Sequence, residues 1–341
     1  MNKKFIYIVA TLLLIGSLLG YNYYQKIFGL AITKNGELFI TATDSLIDVK
    51  EKISEFSKNP HTFLWLASKK SFSKPKTGRY LLKEGMSNND LVNMLRSGNQ
   101  TAIKVSFNNQ DTLEKFAGRI SAQLELDSLS ILVSFSDKKF LDRHQLNEKS
   151  VFQICIPNSH QFYWTVSADN FRDKLLSEYN RFWTSSRLEK ASLLKMSKNE
   201  VITLASIVQK ETAKKIERPI VAGLYLNRLQ NGWPLQADPT IIYCIKEIKG
   251  QDYMVKRVLK VDLAINSPYN TYQNRGLPPS QIAMPDISAI DAVLNAQKHN
   301  YYYMCADINK IGYHQFAKTL AQHNRNAVKY QNWLNKKGVH R

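Results

Sequence analysis

Residues 5–24, FIYIVATLLLIGSLLGYNYY, run for twenty positions without a charge. As a helix such a run crosses about 30 Å of hydrocarbon. It therefore sets the first stretch of chain apart from any water-soluble core and ties the remainder to a bilayer. Lys3 and Lys4 precede the run and favour a cytoplasmic N-terminus, while Tyr21, Tyr23 and Tyr24 suit the far interface. A cleaved signal peptide is the competing reading. Its apolar core should be about 7–15 residues long and lead to a small-x-small site, whereas this run is longer and ends in tyrosines. The expectation is an uncleaved anchor within residues 1–26, with everything beyond it outside the cytoplasm.

The rest of the 341 residues has ample material for a core, hydrophobic side chains making up 44% of the chain. The net charge of +19 attracts polyanions in general. Beyond a membrane genomic nucleic acid is absent, and no tight Lys/Arg run with interleaved aromatics occurs, so a nucleic-acid partner is not expected. A membrane surface or an acidic wall polymer fits better. Cys155, Cys244 and Cys305 form no C-x-x-C pair, and the seven histidines no H-E-x-x-H. No metal or other cofactor is expected, and the cysteines read as buried small apolar residues, with one disulfide left open.

Between residues 37 and 125 three stretches read alike: ELFITATDSLIDVKEKI, GRYLLKEGMSNNDLVNMLRSG and IKVSFNNQDTLEKFAGRI. Each offers a strand-like run, a polar turn with a capping residue and an amphipathic helix. In the second, Ser87 caps, Asp90 stands at the third helical position and Gly98 stops the helix. One or two helices follow from 128, then an aromatic cluster, Phe162, Tyr163 and Trp164, suited either to stacking on sugar faces or to packing, with packing favoured. Residues 169–192 read as one long helix.

In MSKNEVITLASIVQKET, Ser197 and Glu200 make a capping box and Val201, Leu204, Ala205 and Val208 an apolar arc. Glu211 falls roughly 80° from the centre of that arc, on its border. It is either a surface carboxylate paired with Lys215 at i,i+4, or a half-buried acid whose raised pKa keeps its proton. A second helix starts near Pro219 and ends at Gly232, and another follows with Asp238 as cap and Pro239 at its first position. Residues 264–286, rich in Pro, Asn and Tyr, read as a long ordered loop of the kind that lines a site. A helix from about 286, a strand YYYMCAD and a helix from about 317 to 336 close the chain.

Spaced motifs in this order, ASIVQKET, ERP, AGLYLNRL, PLQADPTIIY, YNTY and GLPPSQIA, resemble the endolytic murein transglycosylase, or YceG-like, family. The resemblance extends from about residue 75 to 335 and is densest at 204–283. It implies an α+β chain of three parts: anchor (1–26), a small LysM-like α+β region (27–150) and a larger mixed α+β transglycosylase domain (151–341). It also implies a single-pass inner-membrane protein whose catalytic domain is periplasmic, with peptidoglycan glycan strands as substrate and peptidoglycan synthases as expected companions.

The family's E-x-E-T stretch is Gln209-Lys210-Glu211-Thr212 here, so the catalytic role carries to Glu211 and the other acidic position is an amide. The family's GLPPGPI and FPDTY are GLPPSQI and IPNSH, which leaves the fine shape of the groove in doubt. Asn227, Gln236, Asp238, Thr240, Tyr243, Tyr269, Asn270 and Tyr272 are implied as groove residues, and His314, in GYHQF, as a further substrate contact. Asp238 reads more simply as a helix cap, and Asn227 as a bond to a neighbouring loop.

The implied reaction breaks the β-1,4 bond between N-acetylmuramic acid and N-acetylglucosamine without water, leaving a 1,6-anhydro end. One carboxyl can serve it as acid and then base. A hydrolytic muramidase would need a second acid, for which Asp238 is the candidate. A non-catalytic wall-binding scaffold is the remaining alternative.

Overall fold

The computed structural model describes residues 3–336. Helix α1 (Lys3–Phe28) is one continuous 26-residue helix with no buried residue, apolar enough over its length to cross a membrane. Beyond it the fold is mixed α+β, in two compact units. One comprises residues 1–105, 121–126 and 160–167; the other comprises 106–120, 127–159 and 168–341.

In the first unit, β1 (Gly36–Ile40) pairs antiparallel with β2 (Gly78–Leu82), Leu38 opposite Tyr80. Between and after them lie α2 (Leu46–Ile53), α3 (Pro60–Lys69) and α4 (Asn88–Ser97). Leu38 and Ile40 alternate inward from β1 and meet Val49, Ile53, Phe63, Leu66, Tyr80 and Leu91 in one buried cluster. Full capping boxes open α2 (Ser45 with Asp48) and α4 (Ser87 with Asp90), and α4 ends on Gly98 at φ +75°, as its sequence predicts. Of the aromatic trio, Phe162 is buried and Trp164 packs edge-on against Phe39 at 5.1 Å, while Tyr163 is exposed.

The third strand–turn–helix stretch is divided. Strand β3 (Ile103–Ser106) pairs with β4 (Ser159–Phe162), while α5 (Leu113–Ser121) sends Phe116 into the second unit. There Phe107, Phe135, Phe152 and Phe171 surround it with ring centroids 4.9–6.3 Å away. Burial of that cluster is what draws α5 out of line with its two look-alikes.

The second unit continues with α6 (Ser128–Phe135), α7 (Lys138–Arg143), α8 (Ala168–Phe182) and α9 (Ser185–Leu193). The single helix expected over 169–192 is therefore two. Trp183 is buried between them, and Thr184, extended at ψ 162°, starts α9 afresh by accepting a hydrogen bond from the Arg187 amide. At the centre is α10 (Lys198–Glu211), packed against α9, α11 (Arg218–Gln230), α12 (Asp238–Lys249) and α13 (Ile287–Leu294). Every residue from Val201 to Gln209 is buried. A hairpin of β5 (Tyr303–Ala306) and β6 (His314–Ala317), with Ala306 opposite His314, packs on α14 (Leu320–Lys336). All three cysteines are free thiols, Cys155 and Cys244 buried.

Helix α11 reaches its neighbours through a glycine. A Cβ on Gly223 would stand 2.2 Å from the Gln297 carbonyl oxygen and 2.8 Å from His299 Nε2. Gly118 on α5 has nothing within 4 Å of the same point. Gly223→Ala is expected to cost about 1–3 kcal/mol through this overlap. Gly118→Ala should gain about 0.5–1 kcal/mol from helix propensity alone. Denaturant melts of the two variants check the opposite signs.

Candidate active site

Helix α10 stops at Glu211 because Thr212 turns extended (φ −137°, ψ 130°). Thr212 is held there by its own hydroxyl, which accepts from the Lys214 amide at 3.1 Å, and by Arg218 on its carbonyl at 3.4 Å. The expected i,i+4 relation between Glu211 and Lys215 therefore does not exist. Instead the carboxylate turns toward α11, where the Tyr225 hydroxyl donates to Oε1 at 2.6 Å. Among the described residues no hydrogen bond to Oε2 accompanies it.

Glu211 lies on a cavity of about 380 Å³, lined also by Tyr225, Arg228, Gln236, Asp238, Tyr272, His314, His323 and residues of β5. That volume is in the range of small-ligand sites. Burial pushes the Glu211 carboxyl up to about 7, and the Tyr225 hydrogen bond, the strongest opposing influence, draws it back. His314 and Arg228 also favour the ionised form, and Asp238 disfavours it. Such a group is divided between its protonated and ionised forms at neutral pH and can both give and take a proton.

The ERP triplet at the start of α11 frames this carboxyl. Glu217 is buried and receives His314 twice, from the backbone amide at 2.7 Å and from Nδ1 at 2.9 Å. With Nδ1 so engaged, Nε2 is the ring nitrogen left for the cavity. Arg218 binds Asp286 at 2.7 Å and Ser288 at 2.6 Å, and so holds α11 to the start of α13. Arg228, one turn below Tyr225, donates to the carbonyls of Tyr302 and Leu235, both at 2.7 Å; burial lowers its pKa.

Thr271 clamps the opposite wall. Its carbonyl accepts from the Gln236 amide at 3.0 Å, and its hydroxyl meets the Ala237 amide at 3.0 Å and the Thr240 hydroxyl at 2.8 Å. Gln236 is thereby held at φ +48°, a left-handed conformation a non-glycine residue enters at a cost. Asp238 is not the cap expected of it. Ala237 occupies the cap position without a side-chain bond, and the Asp238 carboxylate, inside the first turn, accepts the Tyr272 hydroxyl at 2.5 Å.

Of the residues named from sequence, the fold brings Glu211, Gln236, Asp238, Tyr272 and His314 to one cavity. The other five do not line it. Asn227 donates to the carbonyls of His299 and Tyr301, at 2.8 and 3.0 Å, as the neighbouring-loop reading had it. Thr240 belongs to the Thr271 clamp. Asn270, fully buried, ties the carbonyls of Leu263 and Ile265 and receives the Tyr272 amide. Tyr269 bonds Ser280 at 2.7 Å and packs on Tyr243, centroids 4.6 Å apart, and Tyr243 faces a separate cavity of about 460 Å³. Sequence reasoning passed over Tyr225 and Arg228, whose spacing matches the inner face of an ordinary core helix. Among the described residues no His/Cys/Asp/Glu group is arranged to hold a metal.

A helix-end carboxyl with a raised pKa, a tyrosine hydroxyl on one oxygen and a strained polar wall opposite form an arrangement that can support acid–base chemistry. The family profile described as YceG-like matches residues 38–329, and the chain belongs to that family. It is 28% identical over 303 residues to the endolytic murein transglycosylase of Bacillus subtilis (strain 168), covering 84% of this chain and 81% of that protein. With the endolytic murein transglycosylase of Streptococcus pneumoniae (strain D39) it shares 25% over 296 residues, 79% of this chain but 53% of that protein. The chain thus spans about half the length of the pneumococcal relative. A crystal structure of a putative YceG-like protein from Listeria monocytogenes superposes with a TM-score of 0.56 at 25% identity, over 86% of this chain and 98% of that one.

Tyr225→Phe removes the bond that draws the Glu211 pKa down, so the carboxyl should titrate above 7, by about one unit. Carbon-13 NMR of labelled glutamate against pH reads this directly. An unmoved titration would mean that Tyr225 does not act on Glu211.

Proposed function

We propose that this chain is a membrane-anchored lytic transglycosylase that cuts within peptidoglycan glycan strands, between N-acetylmuramic acid and N-acetylglucosamine, and leaves a 1,6-anhydro end. The observation that carries the reading is Glu211: a carboxyl raised to about 7, partnered by Tyr225, in the cavity built from the family's own motifs. The name endolytic murein transglycosylase on the relatives supports the substrate class.

In the proposed reaction Glu211 gives its proton to the leaving glycosidic oxygen. The carboxylate so formed is stabilised by the Tyr225 hydroxyl and then takes the proton of the muramic acid 6-hydroxyl as that oxygen closes on the anomeric carbon. The acid is regenerated, and no second carboxylate or water is consumed. His314 and Gln236 are proposed to orient the sugars, and Asp238, which accepts the Tyr272 hydroxyl, is given no part in the proton transfers. Helix α1 is proposed as the single anchor in the inner membrane, with the N-terminus cytoplasmic and both units on the far side. Residues 27–150 are proposed as a LysM-like region, and peptidoglycan synthases as companions.

Full-length protein in detergent, incubated with uncrosslinked glycan strands, is expected to produce chain ends one water lighter than reducing ends by mass spectrometry. Glu211→Gln should lower their formation at least about 1,000-fold, and kcat/KM of the unsubstituted enzyme should fall as pH rises through about 7. Reducing ends would make the enzyme a hydrolase with Asp238 as second acid, and a fully active Glu211→Gln would end the assignment.

Stability carries a second signature. The folded-state pKa of Glu211 lies above the unfolded value of 4.5. Its contribution is therefore fully present below pH 4.5 and is lost as pH rises through about 7. Glu211→Gln should be more stable than the unsubstituted protein at pH 8, by roughly 1–3 kcal/mol, with the difference vanishing near pH 4.

A further inference from the structure

The second unit carries a surface segment that the cavity does not use. From the end of α12 to residue 261 the chain reads IKGQDYMVKRVLKV and has little regular structure after Lys249. Ile248, Tyr253, Met254, Leu259 and Val261 are each between 44 and 78% exposed. Lys249, Lys256, Arg257 and Lys260 are exposed among them. The neighbouring acids are engaged elsewhere: Asp252 with Lys115 at 3.1 Å, Asp262 on the Leu259 amide at 2.7 Å. Among the described residues no ion pair involves Lys256, Arg257 or Lys260.

Single exposed apolar side chains are ordinary on a protein surface, but five within fourteen residues are an unusual local concentration. Interleaved with unpaired cations, they have the composition of segments that lie in a bilayer interface, apolar side chains below the headgroups and cations among them. A polyanionic wall polymer would engage the cations and leave the apolar side chains in water. Helix α1, as the anchor proposed above, keeps the chain on a bilayer. A contact too weak to bind from solution then becomes intramolecular.

We propose that residues 248–261 are a membrane-surface contact for anionic lipid headgroups, fixing how the catalytic unit is presented to the bilayer. The proposal rests on the anchor reading of α1 but needs neither Glu211 nor the reaction.

The test is hydrogen exchange on the full chain in nanodiscs of phosphatidylcholine alone, or of phosphatidylcholine with phosphatidylglycerol. Amides of 250–262 are expected to exchange at least about fivefold more slowly on the anionic discs. Two triple variants, Met254→Ser/Leu259→Ser/Val261→Ser and Lys256→Gln/Arg257→Gln/Lys260→Gln, should each abolish that protection while leaving cleavage in detergent unchanged. Equal exchange on both discs, or protection that survives either variant, overturns the proposal. Failure of the chain to enter nanodiscs at all would instead overturn the anchor, and with it the basis of the contact.

Discussion

The burial of α10 from Val201 to Gln209 is the constraint from which the site follows. A helix with no wet face over nine residues must draw partners for its polar side chains from its neighbours; Ser206 and Gln209 find theirs in the loop before α13, whereas the buried Thr203 hydroxyl has none. The Ser206 hydroxyl accepts from the Ile282 amide at 3.1 Å, while Gln209 accepts from the Asp286 amide at 2.6 Å and donates to the Met284 carbonyl at 3.3 Å. Those bonds seat the loop, the loop seats Asp286, and Asp286 holds Arg218 at the start of α11. Helix α11 in turn places Tyr225 against the last residue of α10. Glu211 is thus reached from both ends of one closed circuit, and its raised pKa is a consequence of where that circuit closes.

The same burial explains what sequence could and could not yield. Local signals were legible: the capping boxes at Ser87 and Ser197 and the Gly98 stop. Each depends on residues within four positions of one another. Periodicity put Glu211 on the border of the apolar arc, and it is half-buried there; what periodicity did not show is that α10 lacks a solvated face, since Thr203 and Ser206 opposite the arc are buried as well. The break at Thr184 was illegible for a related reason, since the buried Trp183 there reads as helix filler until its pocket is known. Tyr225 and Arg228 reach the cavity through partners 14 and 74 residues away, a separation that no window along the chain captures.

Family motifs and cavity walls are different sets, and hydrogen bonding sorts them. Gln236, Asp238, Tyr272 and His314 face the cavity, whereas Asn227, Thr240 and Asn270 spend their polar groups on backbone carbonyls and on Thr271. Loops lined with unpaired amides would otherwise hold the site loosely, and a proton-transfer geometry tolerates little looseness. ERP divides likewise: Glu217 positions the histidine, Arg218 joins two helices, and Pro219 begins one.

The amide at position 209, where the family carries an acid, becomes intelligible on the same terms. The side chain there meets one donor, the Asp286 amide, and one acceptor, the Met284 carbonyl. A carboxamide answers both. An ionised carboxylate could answer only the first, would set a buried charge two residues from Glu211, and would push the Glu211 pKa still higher by like-charge repulsion. An acid at 209 therefore fits this packing only when protonated. Gln209 supplies the same two bonds with no proton to lose, which leaves the buried stretch of α10 without a titrating group and makes the pKa of Glu211, just beyond it, answer to Tyr225 and the cavity rather than to a coupled neighbour.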